Sequence, residues 1–198
     1  RLPQPWIALG HSMGGCLTLL ALAQGEARFS GAILSAPMLG ILTGAVPPLL
    51  AALLAAALNL VGGGGLAVAR QPAAAVPFEA NILTHDRARY ERNEALAAAW
   101  PDLALGGPTW GWLAFAFGAV SILERGAGVT RIAPPLTVAL AGADRLVDNA
   151  GLRRTAARVP GVRLVEIPGA YHEILQETDA IQATFWREFD DLTARAVA

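Results

Sequence analysis

Cysteine, histidine and charged residues are scarce in this sequence of 198 residues, and each scarcity excludes a class of protein or site. The single cysteine, Cys16, cannot form an internal disulfide, so a small disulfide-stapled fold is excluded. The three histidines, His11, His85 and His172, lie too far apart along the chain to form a zinc motif with it. We therefore expect no metal and no cofactor, and a cytosolic location is the default.

Charged residues make up only 16% of the chain, compared with about 25% in average globular proteins. The 15 basic and 16 acidic side chains give a net charge of −1, and no basic cluster stands out. A nucleic-acid partner requires a basic surface, so none is expected. The hydrophobic fraction of 54% excludes disorder and predicts one globular domain with a substantial core.

The region from residue 29 to residue 69 carries no charged side chain, which raises the question of a membrane span. Prolines and a four-glycine tract at 62–65 interrupt this region. Its longest uninterrupted apolar part, residues 49–58, is about half of the roughly 20 residues that a span requires. We therefore expect a buried or membrane-facing helix here rather than a transmembrane one.

Short apolar runs alternate with helical patterns at both ends of the chain. The runs, each bounded by proline or glycine, predict strands at residues 6–9, 29–35, 136–141 and 163–167. Helical patterns cover residues 14–23, 150–159 and 179–196. Apolar strands that alternate with helices are typical of an α/β fold with a parallel sheet covered on both faces.

The region from residue 38 to residue 131 does not follow this alternation. It contains an Ala/Leu helix at 48–61, a polar helix at 86–99 and an aromatic run at 110–117. Long connections within compact domains usually carry function. We therefore predict a helical cap or lid at 38–131, inserted into a core formed by residues 1–37 and 132–198.

The sequence Gly10-His11-Ser12-Met13-Gly14-Gly15 fits the pattern G-x-S-x-G between a predicted strand and a predicted helix. This pattern predicts a sharp turn that lifts a nucleophilic serine, Ser12, above the sheet. Gly10 and Gly14 are expected to be required because side chains there would strike the neighbouring elements. The helix N-terminus and the Met13 amide would face an oxyanion.

A serine hydroxyl needs a base, and the base needs an acid that fixes its tautomer. Asp144 follows the predicted strand 136–141, and His172 follows the predicted strand 163–167. Parallel strands end at the same edge of a sheet, so Ser12, Asp144 and His172 can converge there. The sequence therefore predicts a hydrogen-bonded chain of these three side chains.

Other polar residues near these positions have simpler interpretations. Asp148 competes with Asp144 for contact with the base, although an acidic residue at a helix start is more often a cap. His11 is expected to pack or brace the turn, and His85 to face solvent. Cys16 is expected to be a small buried hydrophobic residue.

Several segments together resemble a known family. The segment 10–15, which forms the predicted turn or elbow around Ser12, resembles the α/β-hydrolases of the lysophospholipase and monoacylglycerol lipase branch. The same branch is resembled by two further segments, Gly-Ala-Asp-Arg-Leu-Val-Asp at 142–148 and Pro-Gly-Ala-Tyr-His-Glu at 168–173. The cap segments 83–93 and 105–113 are similar to the cap of bacterial lysophospholipases. The likeness extends over nearly the whole chain.

The resemblance implies a role for each candidate residue. Ser12 would be the nucleophile, Asp144 the acid, His172 the base and Met13 the donor of one oxyanion amide. The family has further strands before its elbow strand, with a His-Gly loop that supplies a second oxyanion amide. This chain begins shortly before the elbow at Arg1, so we expect it to be the C-terminal portion of a longer protein, with the N-terminal strands of its sheet missing.

The expected function is a serine carboxylester hydrolase that acts on a monoacyl lipid or small ester through an acyl-enzyme. Trp110 and Trp112 of the cap are candidate substrate-binding residues, and the cap could touch a membrane surface. The protein would then be cytoplasmic or peripheral to the inner face of a membrane. Alternatives are a serine aminopeptidase, which needs an acidic pocket for an amine, and a noncatalytic lipid-binding module. The acidic residues of the cap look solvated, which disfavours the aminopeptidase.

Overall fold

The computed structural model describes residues 3–69, 76–103, 105–126 and 128–197. Residues 1–2 and 198 of the predicted core, and residues 70–75, 104 and 127 of the predicted cap, lie outside the described residues. In chain order the elements are β1 (Trp6–His11), α1 (Met13–Ala23), β2 (Phe29–Ser35), α2 (Pro48–Leu60), α3 (Arg87–Ala99), α4 (Trp110–Glu124), β3 (Leu136–Ala141), α5 (Asn149–Ala156), β4 (Arg163–Ile167) and α6 (Asp179–Val197).

The four strands form one parallel sheet, as the sequence predicts, and their order is β1-β2-β3-β4. The register places Ser35 of β2 beside His11 on one side and Ala139 on the other. The carboxyl ends of the strands therefore share one edge, which is where α/β folds build their sites. Within the described residues β1 pairs only with β2, so the strand predicted at residues 6–9 lies at an edge of this sheet.

Helices cover both faces of the sheet because successive residues of each central strand belong to different hydrophobic clusters. On one face, Leu34 and Val138 pack with α1, α4 and α5. On the other face, Ile33 and Ala139 pack against α6. All four side chains are fully buried, which explains why these strands consist of nearly continuous apolar residues.

The insertion between β2 and β3 is helical, as predicted, but part of it belongs to the main core. Ala116, Ala119 and Leu123 of α4 join the same hydrophobic cluster as α1 and the sheet. The aromatic run at 110–117 is therefore the first half of a longer helix whose second half packs in that core. The division of the chain into a core and a 38–131 cap stays a prediction.

Helix α2 contains the apolar run 49–58 and has 13 residues. Pro48 occupies its first position, where a missing N–H costs no helical hydrogen bond. None of the helices in the described part of the chain is long and apolar enough to cross a membrane. Ala55 is fully buried, whereas leucines on another face of the helix are exposed: Leu49 by 73%, Leu50 by 56% and Leu53 by 59%.

Candidate active site

The turn between β1 and α1 holds Ser12 in a strained backbone conformation. Ser12 has φ of 50° and ψ of −116°, and a positive φ is uncommon for any residue except glycine. Its backbone N–H donates to the Ser35 carbonyl at 3.0 Å, and its carbonyl accepts from the Met38 N–H at 2.9 Å. The chain around the end of β2 therefore braces the turn through both backbone groups of Ser12.

Two glycines make the turn possible, but they are not the pair that the pattern predicts. A Cβ on Gly10 would lie 2.8 Å from the Gly14 carbonyl oxygen, so a side chain there is excluded. A Cβ on Gly14 would meet nothing within 4 Å, so the expectation that Gly14 is required is wrong. The second close approach is at Gly15, where a Cβ would lie 2.7 Å from Pro37 Cβ, because α1 packs there against the end of β2.

The structure brings Ser12, Asp144 and His172 together at the carboxyl edge of the sheet. His172 Nε2 lies 2.9 Å from Ser12 Oγ, and His172 Nδ1 lies 2.8 Å from Asp144 Oδ2. The imidazole and the carboxylate are almost fully buried. A proton on Nδ1 is donated to the carboxylate, and this tautomer leaves Nε2 as an acceptor for the Ser12 hydroxyl proton.

Asp144, and not Asp148, contacts the imidazole. Asp144 Oδ1 also accepts from the backbone amides two and three residues further on, at 2.8 and 3.0 Å. Burial raises the pKa of Asp144, but the hydrogen bonds from His172 and from these amides outweigh burial and lower the pKa below its usual value. Asp148 caps α5, accepting from the amides two and three residues beyond it at 2.9 and 3.1 Å.

His11 braces the turn, in agreement with the sequence interpretation. Its Nδ1 lies 3.2 Å from the Ser35 carbonyl oxygen, and its Nε2 lies 3.1 Å from Glu173 Oε1. Burial raises the pKa of Glu173, but the hydrogen bond and charge of His11, together with the charge of His172, lower it overall. His11 therefore joins the turn of Ser12 to the loop that carries His172.

Three donor groups near the site could in principle hold a metal ion, since one atom each of His11, His172 and Glu173 lie within 4.8 Å of one another. Both ring nitrogens of His172 already have partners in Ser12 and Asp144, so we assign no metal there.

Cys16 is buried, and desolvation raises its pKa to about 11. It is therefore an inert hydrophobic residue, as expected.

Met13 is the first residue of α1, and its backbone N–H is among the four that find no carbonyl within a helix. The helix N-terminus adds positive partial charge at this point. An amide in this position suits a developing oxyanion. The Met13 sulfur accepts from Trp112 Nε1 at 3.0 Å, which ties α4 to the turn.

A cavity of about 830 Å³ lies between the insertion and the edge of the sheet, and Ser12 and His172 form part of its wall. This volume is within the usual range for small-molecule sites. Trp110 and Trp112, the candidate substrate-binding residues, both line it. Further lining residues are mostly apolar, among them Met38, Ile41, Leu54, Leu113, Phe117 and Leu146.

No acidic side chain from the described ranges lines this cavity. Glu79 and Glu91 pair with Arg87 and are 70% and 60% exposed. Asp86 caps α3 by accepting from the Arg89 amide at 3.0 Å. These acidic residues of the insertion therefore lie on its polar surface, as the sequence interpretation expected.

One contact near the site was not identified from the sequence. The His85 side chain is 41% exposed, so the expectation that it faces solvent is confirmed, but its Nδ1 also lies 2.8 Å from Glu177 Oε1. Glu177 is fully buried. The contact joins residues 92 positions apart, and no local pattern in the sequence signals it.

Comparison with known proteins finds relatives along nearly the whole chain. The family described as serine aminopeptidase, S33, matches residues 2–179. Lysophospholipase L2 of Escherichia coli (strain K12) is 36% identical over 196 residues, which cover 91% of this chain and 56% of that protein. A monoacylglycerol lipase of Mycolicibacterium smegmatis is 29% identical over 182 residues, which cover 88% of this chain and 58% of that protein. The chain thus spans a little more than half the length of these curated relatives.

Solved structures support the fold. A soluble variant of monoglyceride lipase from Saccharomyces cerevisiae matches with a TM-score of 0.75 and 19% identity, over 98% of this chain and 66% of that one. Monoacylglycerol lipase of Paleococcus ferrophilus matches with a TM-score of 0.72 and 19% identity, over 95% of this chain and 68% of that one. The α/β-hydrolase fold expected from the sequence is confirmed.

Proposed function

This chain belongs to the serine aminopeptidase, S33, family and to its lysophospholipase and monoacylglycerol lipase branch, and from that premise we propose that the full protein is a serine carboxylester hydrolase acting on monoacyl lipids. The observation that supports this proposal most directly is the apolar cavity that contains Ser12 and His172 in its wall. An acyl chain is favoured there because each buried methylene contributes about 0.8 kcal/mol. The names of the relatives support the same substrate class.

The proposed reaction begins with proton transfer from Ser12 Oγ to His172 Nε2, which are 2.9 Å apart. Oγ attacks the ester carbonyl carbon, and the Met13 amide donates to the oxyanion that forms. Asp144 keeps the imidazole in the required tautomer and stabilises its charged form. The carbon–oxygen bond of the ester then breaks, and the alcohol leaves with the proton from Nε2.

Hydrolysis of the acyl-enzyme repeats these steps with water. Nε2 takes a proton from the water, whose oxygen attacks the acyl carbon, and then returns a proton to Ser12 Oγ as the fatty acid leaves. Every proton transfer in this sequence uses His172 Nε2, so no metal or cofactor is needed.

Contact with a membrane surface is part of the proposal. Ala51 and Leu54 of α2 line the cavity, while Leu49 and Leu53 of the same helix are 73% and 59% exposed. A helix with one face on the substrate cavity and apolar side chains in water suits extraction of a lipid from a bilayer surface. The protein would act in the cytoplasm or at the inner face of a membrane, and we propose no nucleic-acid partner.

A serine aminopeptidase is the second candidate, because the family description names that activity. An aminopeptidase must bind the charged amine of its substrate, which calls for an acidic side chain beside the nucleophile. The described part of the cavity wall contains none. This observation favours the ester hydrolase.

The test is a kinetic comparison of the full-length protein on lysophospholipids, monoacylglycerols, short-chain esters and aminoacyl anilides. We expect Ser12-dependent turnover of the monoacyl esters and little turnover of the anilides. Ser12→Ala should abolish turnover and retain lipid binding. Ser121→Ala is the matched control, because the Ser121 hydroxyl accepts from Arg125 at the C-terminal end of α4 and does not line the described part of the cavity.

Each other outcome points elsewhere. Faster cleavage of anilides than of esters would assign the protein to the aminopeptidases. Lipid binding without any Ser12-dependent turnover would support the noncatalytic lipid-binding module.

A further inference from the structure

The segment 81–92 of the insertion is joined by polar contacts to the segment 171–179, which contains His172. The Glu173 N–H donates to the Leu83 carbonyl at 2.9 Å. The Thr84 hydroxyl donates to the Gln176 carbonyl at 2.6 Å. Further contacts join Arg89 to Asp179 at 2.5 Å and Arg92 to Gln176 at 2.9 Å. The insertion therefore reaches the site in two places, at the cavity and at the loop of His172.

Glu177 lies at the centre of this contact and is fully buried. Its Oε1 accepts from the Tyr171 backbone N–H at 2.8 Å and lies 2.8 Å from His85 Nδ1. Its Oε2 accepts from the His85 backbone N–H at 2.9 Å. One buried carboxylate thus binds groups from both segments, and one of them is the amide directly before His172.

The chemistry of these partners specifies a carboxylate rather than an amide. Two of the three groups around Glu177 are backbone N–H donors, one on each oxygen. A glutamine could accept with only one oxygen, and its NH₂ group would face the other N–H. A buried donor left without an acceptor costs about 1–3 kcal/mol, so the two segments would separate or shift.

Tyr171 transmits this arrangement to the site. Its ring stacks on the His85 ring, with centroids 3.9 Å apart and an interplanar angle of 26°. The Arg145 guanidinium lies 5.2 Å from the Tyr171 ring centroid, and Arg145 directly follows Asp144. The residue before the proposed base therefore contacts both the insertion and the loop of the proposed acid.

We propose that Glu177 is a positioning residue, which acts through Tyr171 and His85 to hold the loop of His172 in register with Ser12. The segment 81–92 is then a part of the machinery that orients the base, in addition to any role of the insertion in substrate binding. Glu177 touches neither Ser12 nor the ring of His172. The kinetic part of this inference rests on the proposed function.

The first test compares Glu177→Gln with the wild-type full-length protein on a water-soluble short-chain ester. A misplacement of about 1 Å at a reacting group can cost about 100-fold in rate. We expect kcat per titrated active site to fall by about 10- to 100-fold, with KM changed less than about threefold, because Glu177 does not line the cavity. An unchanged kcat per titrated site would overturn the inference.

Glu188→Gln is the matched control, because Glu188 is also buried and binds Arg163, which begins β4 at the end of the strand away from the loop of His172. It should lower stability and leave kcat per titrated site unchanged.

A second pair of variants distinguishes the contribution of the His85 side-chain N–H from that of the His85 ring. His85→Asn retains a side-chain N–H that can reach Glu177 and should keep most of the activity, whereas His85→Phe retains the ring and should lower kcat. This pair decides the question if Glu177→Gln does not fold, and equal kcat values for the two variants would contradict the role of the carboxylate.

A spectroscopic readout separates this inference from the proposed function. The proton on His172 Nδ1, held by Asp144, should give a far-downfield proton resonance that disappears in His172→Gln. Glu177→Gln should shift or broaden it, and Glu188→Gln should not. If the wild type hydrolyses esters but Glu177→Gln leaves this signal and kcat unchanged, only the positioning role fails. If the wild type hydrolyses nothing, the proposed function fails, and the resonance alone decides the role of Glu177.

Discussion

Ser12 and His172 are separated by 160 positions in the chain, yet Ser12 Oγ lies 2.9 Å from His172 Nε2. Ser12 follows β1 and His172 follows β4, which are the two outer strands of the described sheet. The contact therefore depends on the complete β1-β2-β3-β4 order. The same strand order places the Asp144 carboxylate, which follows β3, on the side of the imidazole opposite to Ser12.

Replacing Asp144 with asparagine should lower kcat by about 10³- to 10⁴-fold on a short-chain ester, because the imidazole would lose the partner that fixes its tautomer. Asp148→Asn, four residues away, makes the same chemical change in a cap. It should leave kcat nearly unchanged and lower only the free energy of unfolding, because asparagine has one oxygen for the two amides that the Asp148 carboxylate binds. Steady-state kinetics on both variants checks this, and a larger loss in Asp148→Asn would reverse the two assignments.

Glycine-to-alanine substitutions in the elbow should have opposite effects at neighbouring positions. Gly15→Ala should be destabilising, because its Cβ would lie 2.7 Å from Pro37 Cβ. Gly14→Ala should be neutral or stabilising by up to about 1 kcal/mol, because the site is open and alanine favours a helix over glycine. Denaturant unfolding of both variants measures the difference. A Gly14 variant that is the less stable of the two would refute this account of the turn.

These glycines also show how far the sequence could be interpreted. The elbow pattern located Ser12, and the predicted strands at 29–35, 136–141 and 163–167 have the bounds that the structure gives. The pattern could not show which glycine meets Pro37, because that close approach depends on how α1 packs against the end of β2. A local sequence pattern can indicate a strand or a helix, but packing between elements depends on residues that are far apart in the chain.

The same limit applies to Glu177 and His85. His85 lies in the cap segment 83–93 and Glu177 lies just before α6, but their contact spans 92 positions and follows no spacing rule. A buried glutamate that binds a cap histidine could be recognised only once the insertion was placed against the loop of His172. The aromatic run at 110–117 did not predict the helix α4 for a related reason, since the second half of α4 is specified by burial against α1 rather than by aromatic residues.

The stability of the fold should decrease in acid partly through Glu173, whose pKa is below its usual value in the folded protein. A lowered pKa means that the charged carboxylate stabilises the folded state at pH above the unfolded-state pKa of about 4. This stabilisation is lost as pH falls from there through the lower folded-state pKa. Glu173→Gln should therefore flatten the pH dependence of the free energy of unfolding below about pH 4, as urea titrations at several pH values would show. An unchanged slope would contradict the contribution of Glu173.

The exposed face of α2 should determine activity at lipid surfaces but not activity on dissolved substrates. Leu49 and Leu53 are 73% and 59% exposed, and full burial of a leucine contributes about 1.5–3 kcal/mol. Replacing both with aspartate should lower binding to phospholipid vesicles by at least about tenfold and reduce hydrolysis of vesicle-bound monoacyl lipid. Turnover of a short-chain ester should be unchanged, because neither side chain lines the cavity. Leu96→Asp on the polar helix α3, where Leu96 is 42% exposed, is the control and should leave vesicle binding intact. Equal vesicle binding by the double variant and the wild type would exclude α2 as the membrane contact.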